Sequence, residues 1–168
     1  MRPLMIAHIS DLHLHGQYRW ENIRKTKRLL EYISRKQVDH LVVTGDITSN
    51  ADVHGCDLGR SLFAGVGLLD TTRLSVVIGN HDIYGGAHTA EDILMFPHRC
   101  RTTDYDAKVT EFREHYQETF ERCIVASQPR VFPFAKLVGD ALIVGLNSIA
   151  RYSGIKNPLG ANGKIDDR

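Results

Sequence analysis

The passage Leu74-Ser75-Val76-Val77-Ile78-Gly79-Asn80-His81-Asp82 decides how this chain is read. Its apolar opening has the length and composition of a buried strand. Its end packs an amide, an imidazole and a carboxylate into three consecutive positions. A strand that finishes in such a turn directs those groups off the edge of a sheet, where a metal or a phosphate is within reach. Two other apolar runs end in the same manner. Leu4 to Ile9 is followed by Ser10-Asp11-Leu12-His13-Leu14-His15-Gly16, and His40-Leu41-Val42-Val43-Thr44 is followed by Gly45-Asp46.

Asp11 and His13 are two residues apart, so on extended backbone they share one side and Leu12 and Leu14 take the other. A carboxylate beside an imidazole at a strand's end is half of a metal site. His15 continues that face but lies nearer the Gly16 turn, and it is read as a solvated loop residue. From Trp20 to about Gln37 the period becomes helical, with Trp20, Ile23, Leu30 and Ile33 near one face. Lys25, Arg28, Arg35 and Lys36 lie elsewhere and are read as the solvated surface of that helix rather than as a phosphate patch. Strand, helix and strand in this order predict a parallel pair joined by a right-handed crossover. Ligands of parallel α/β sheets gather beyond the carboxyl ends of the strands, which places Asp46 beside Asp11 and His13. Leu58, Leu62, Val66 and Leu69 predict a second helix from Leu58 to Leu69. Asn50, Asp52, His54 and Cys56 are assigned to the polar loop before it. Three strand ends in register thus present Asp11 and His13, then Asp46, then Asn80, His81 and Asp82.

The remaining composition narrows the class. The chain has 168 residues, 42% apolar and 24% charged, which suits one domain of the globular α/β class. A formal net charge of +1 gives no basic footprint for nucleic acid or a membrane surface. Leu4 to Ile9 is too short for a signal-peptide core, and no stretch approaches a membrane span. Cys56, Cys100 and Cys123 are odd in number and lack C-x-x-C spacing, so they are read as reduced intracellular thiols in a cytoplasmic enzyme domain.

After the third turn the pattern changes. Tyr84-Gly85-Gly86 is a turn, and His88, Pro97, His98 and Arg99 fall in an irregular stretch. Val109, Phe112, Tyr116, Phe120 and Cys123 then recur at helical spacing as a packing face. A helical cap inserted at about 84–128 is well placed to roof a site, and His88, His98 and Arg99 are candidates for touching a substrate. Phe134 to Val138, Gly139-Asp140 and Ala141 to Leu146 form a hairpin with Pro129 and Pro133 at its start. The tail from Ser153 to Arg168 has no apolar periodicity and is read as loop.

Oxygen donors with imidazole and amide suit Mn, Fe or Zn. A carboxylate shared by two such ions sets them ~3.5–4 Å apart, where they can activate water and clamp two phosphoryl oxygens. A nearby imidazole adds general acid catalysis. No G-x-S-x-G elbow, Walker loop or G-x-G-x-x-G is present.

Asp11-x-His13, Gly45-Asp46 and Gly79-Asn80-His81-Asp82, in this order and at these separations, resemble the calcineurin-like metallophosphoesterases. The resemblance covers about residues 4–82. The segment from Phe132 to Ser148 is similar to one in the branch containing bacterial cyclic-nucleotide phosphodiesterases. The resemblance implies a four-layer αββα sandwich and two transition-metal ions, divalent or trivalent. It puts Asp11 and His13 on one metal, Asp46 between the two and Asn80 on the second. It makes His81 the catalytic imidazole and Asp82 its orienting carboxylate. The implied activity is hydrolysis of small phosphoesters, cyclic nucleotides among them, by metal-activated hydroxide. One departure stands out: the family's downstream Gly-His-x-His is not in this sequence. The expectation is therefore a single truncated domain over 1–168, with the second half of the sandwich missing. The second metal then keeps only Asp46 and Asn80, and an uncovered sheet face invites self-association. The alternative is a non-catalytic or partner-dependent binding domain without a complete dimetal site.

Overall fold

The computed structural model describes residues 3–17, 20–125 and 131–165. Strands β1 (Ile6–Ile9), β2 (His40–Thr44) and β3 (Leu74–Val77) form one parallel sheet in the order β1-β2-β3. Ile6 stands opposite His40, and Leu41 opposite Leu74. β2 is the central strand, and Leu41 and Val43 are fully buried in it. Helix α1 (Trp20–Arg35) makes the first crossover and buries Thr26, Leu30 and Ile33. Its basic residues lie outside that face, and Lys25 pairs with Glu21 one turn back. No helix among the described residues is long and apolar enough to cross a membrane.

Two expectations about local structure are corrected. Helix α2 (Val53–Gly65) starts five residues before Leu58, so His54 and Cys56 lie on its first turns and not in a loop. The start is set by Asp52, whose carboxylate accepts the Gly55 N–H at 2.8 Å and satisfies an amide that the helix leaves open. The stretch around Pro97, expected to be irregular, is helix α4 (Ala90–Thr102). Thr89 and Asp92 form a reciprocal capping box at its start, a strong local signal that outweighs one interior proline. Between these lies α3 (Asn80–Ile83), a single turn that directly follows the β3 end.

Helix α5 (Tyr105–His115) and a 3₁₀ turn (Gln117–Phe120) carry the aromatic stripe. Phe112 and Tyr116 are buried, and Phe120 meets Phe132 and Phe134 edge to face. A second sheet follows, antiparallel and ordered β4 (Ile124–Val125), β5 (Phe134–Val138), β6 (Ala141–Gly145). The expected hairpin is β5–β6, turning at Gly139 with φ +57°. The sequence accounts for that hairpin but not for β4. Pro129 lies outside the described residues. Phe134, Lys136 and Val138 point inward, while Leu137, Leu142 and Val144 stay exposed on the outer face.

Lys136 is a charged residue inside that core. Its Nζ donates to the carbonyls of Leu74 and Thr119, each at 2.7 Å, and of Thr71 at 3.1 Å. Burial pushes its amine down to about 8. The three acceptors belong to the edge of β3, the loop before it and the 3₁₀ turn, so one ammonium pins the second sheet to the first. Lys136→Met keeps the stem but takes the ammonium donor from three carbonyls, of which that of Thr119 keeps the Thr71 hydroxyl at 3.3 Å. Leaving a buried acceptor without its donor costs ~1–3 kcal/mol. Urea titration of the variant is expected to show a loss of that size.

Candidate metal centre

The site begins where β1 and β2 stop being regular. Asp11, His13 and Asp46 all adopt left-handed backbone, with φ of +57°, +46° and +53°. Non-glycine residues seldom enter that region, and when they do the surroundings must hold them there. Here the two segments hold each other. Asp11 N–H donates to the Gly45 carbonyl at 3.2 Å, His13 N–H to that of Asp46 at 2.9 Å, and Leu14 N–H to that of Ile47 at 2.8 Å. Leu12 and Leu14 anchor the kinked segment in the core, while Asp11 and His13 remain accessible. The expected in-and-out division is present, but left-handed kinks produce it and not extended backbone.

The third turn closes on the second through two glycines. Gly45 has φ +83°, and a Cβ on it would lie 2.8 Å from the Gly79 Cα. A Cβ on Gly79 would fall well short of van der Waals contact distance from Asp46 N and Oδ1. Only glycine at both positions lets the turns sit back to back. Asp46 Oδ1 then accepts the His81 N–H at 2.9 Å, which ties the second motif to the third.

Within α3 the structure gives Asp82 different partners from those expected. Its Oδ1 accepts Thr48 N–H at 2.8 Å and its Oδ2 accepts Gly79 N–H at 2.9 Å. Burial is the main cause that pushes this acid up to about 6, against the pull of those main-chain donors and with the Asp46 charge adding to the rise. Asp82 therefore fixes the turn. The group that meets His81 Nδ1 is the Ser49 carbonyl, at 3.1 Å. A carbonyl can only accept, so His81 carries hydrogen on Nδ1 and turns Nε2 away from that bond.

The donors converge. His13 and His81 rings meet edge to face with centroids 4.6 Å apart. Ligand atoms of His13, Asp46 and His81 all lie within 4.8 Å of one another. His13 Nε2 is 3.7 Å from Asp11 Oδ1. Two tetrahedral ligands ~2.1 Å from one ion stand ~3.4 Å apart, so the separation of Asp11 and His13 is close to that of a pair sharing an ion. Imidazole nitrogen with carboxylate oxygen suits Mn, Fe or Zn. Asn80 heads α3 directly after Gly79, on the same edge of the sheet.

The other candidates fall at different distances from this centre. His15 lies in the loop after β1, partly exposed, and is held in the network because its Nε2 is 2.9 Å from the Asn50 amide. Asn50 in turn reaches His88 Nε2 at 2.9 Å. Arg99 Nη2 donates to the Gly86 carbonyl at 2.7 Å, whereas His98 is exposed on α4. Burial pushes the Cys56 thiol to about 12 and the Cys100 thiol to about 11, which leaves neither a ready nucleophile. Sequence reasoning missed Ser49, whose contribution is a main-chain carbonyl that side-chain identity does not announce.

The profile of the calcineurin-like phosphoesterases matches residues 4–155. The chain belongs to this family. The match starts ahead of β1, takes in all three strand-end turns and runs through the second sheet, beyond the span the motifs alone cover. A comparison with curated proteins returned no significant match. Membership in the calcineurin-like phosphoesterases indicates metal-dependent hydrolysis of phosphoesters, with the cluster of His13, Asp46 and His81 as a place for metal.

Proposed function

We propose that this calcineurin-like phosphoesterase hydrolyses small phosphodiesters, cyclic nucleotides among them. In this reading Asp11, His13, Asp46 and Asn80 hold two transition-metal ions, and His81 faces the leaving group. The observation that carries it is the left-handed backbone at Asp11, His13 and Asp46 around one converging set of donors. Strain of this kind collects where a site dictates geometry. Bound ions supply acidified water and offset phosphoryl charge.

The chain's own residues do the rest. Asp46 bridges the turns through His81 N–H, so the carboxylate and the imidazole move as one unit. The Ser49 carbonyl accepts the His81 Nδ1–H and so orients the ring; protonated at both nitrogens, the imidazolium would deliver its Nε2 proton to the departing alkoxide and be left as the Nδ1–H tautomer. General acid catalysis of this type is worth ~10²–10⁴-fold. A second role for His81 comes from its place in the donor cluster, where it would be a ligand.

One experiment separates these readings. Mn²⁺-supported turnover of bis(p-nitrophenyl) phosphate is measured for the wild type and His81→Ala, with metal content determined by mass spectrometry. The acid role predicts retained metal and kcat lower by ~10²–10⁴-fold. Loss of metal from the variant assigns His81 as a ligand. A wild-type chain with neither metal nor turnover leaves the binding-domain alternative. Faster turnover of the aryl monoester than of the diester would overturn the phosphodiester assignment.

A further inference from the structure

Three separate segments meet at the side chain of Asn50. Its Nδ2 stands 2.9 Å from His15 Nε2, on the turn after β1. Its Oδ1 stands 2.9 Å from His88 Nε2, beyond α3. The polarity of this chain is fixed from its far end. Gln17 N–H points at His15 Nδ1 at 3.0 Å, and a main-chain N–H can only donate. His15 Nδ1 therefore accepts, and a neutral imidazole then holds its hydrogen on Nε2. That N–H needs an acceptor, so the carboxamide turns its oxygen to His15 and its nitrogen to His88, an exchange of ends that leaves its shape unchanged. His88 Nε2 becomes the acceptor, and its hydrogen sits on Nδ1.

His88 also adjoins the site. Its ring centroid is 6.4 Å from that of His81. A Cβ on Gly86 would lie 2.6 Å from Cε1 of both rings, so the two imidazoles close on this glycine from either side. Gly86 N–H donates at 2.8 Å to the Ser49 carbonyl, the same oxygen that meets His81 Nδ1. Two adjacent residues thus set two imidazoles: Ser49 by its carbonyl, Asn50 by its side chain.

We propose that Asn50 is a positioning residue that holds His88 as an Nδ1–H donor toward a non-reacting oxygen of the substrate phosphoryl group, beside His81. The inference rests on the phosphodiesterase reading for its substrate, but the hydrogen-bond polarity stands apart from it. Nothing in the three strand-end motifs assigns either residue.

The test uses the full chain with ¹⁵N-labelled histidine. Long-range ¹H–¹⁵N spectra are expected to show His15 as the Nε2–H tautomer and His88 as Nδ1–H, with His88 becoming a tautomer mixture in Asn50→Ala. Addition of inorganic phosphate is expected to shift the His88 resonances in the wild type, and far less in the variant. In the hydrolysis assay, Asn50→Ala, Asn50→Asp and His88→Ala should each raise KM ~10-fold with kcat within ~3-fold, and Asn50→Ala/His88→Ala should be no worse than either single change. Asp belongs with Ala because it accepts from His15 but has no N–H for His88. An Nε2–H tautomer at His88 in the wild type overturns the proposal, as does an unchanged KM or single effects that multiply. A wild-type chain that hydrolyses nothing would refute the phosphodiesterase reading alone, and the tautomers and phosphate shifts would still decide the role of Asn50.

Discussion

Asp46→Asn is expected to cut Mn²⁺-supported phosphodiester hydrolysis by ~10³-fold or more and to lower the bound metal. Metal ions supply several kcal/mol of transition-state stabilisation, and each 1.36 kcal/mol is about tenfold in rate. The geometry explains why so small a change has so large an effect. Oδ1 of Asp46 already accepts the His81 N–H. An Asn at 46 must keep its oxygen on that N–H, which leaves an NH₂ in place of the second carboxylate oxygen. An amide nitrogen in that place does not ligate a metal, and the charge that would balance the ions is gone. The fold should tolerate the change, so circular dichroism and the urea midpoint serve as controls. Activity within ~10-fold of the wild type, at full metal content, would remove Asp46 from the centre.

Gly79→Ala is expected to damage stability and site together. The added methyl would have to occupy space held by the main-chain nitrogen and carboxylate of Asp46, and the backbone there cannot swing aside as a flexible side chain would. Overpacking of this kind costs ~1–3 kcal/mol, which for a chain of this size lowers Tm by roughly 3–10 °C. The displaced residue is Asp46, so metal should be lost in parallel. Gly65→Ala is the control. Gly65 has nothing within 4 Å of an added Cβ and closes α2, so that change should leave Tm unchanged or raise it slightly. A Gly79→Ala chain that melts with the wild type and keeps its metal would show that the turns do not press on each other.

The parallel sheet and its three polar ends were legible because each strand is a continuous apolar run stopped by glycine or by polar residues. β2 was found with its bounds intact, His40 to Thr44. Helix starts were less legible. Asp52 and the pair Thr89 and Asp92 cap α2 and α4, but the glycines of α2 and the proline of α4 weaken the periodicity that announces a helix. At the site, sequence spacing identifies side chains that converge but not the main-chain groups that orient them. Asp82 and His81 are neighbours in the chain, so pairing them was natural. The fold sends the carboxylate inward to two amides and leaves the imidazole to Ser49. Asn50 carries no pattern at all, since its partners come from segments 35 and 38 residues away in sequence.

The back-to-back turns also bear on the order in which the molecule assembles. Thr48 N–H to Asp82 and His81 N–H to Asp46 join residues 34 and 35 apart in sequence. Closing such loops costs entropy before any contact rewards it, and parallel pairing through crossover helices is intrinsically slow. The β5–β6 hairpin, by contrast, closes over a two-residue turn. During refolding the hairpin should gain amide protection early, and His13, Asp46 and His81 should come together only in the last kinetic phase. Added metal would then act on the rate of unfolding more than on the rate of folding.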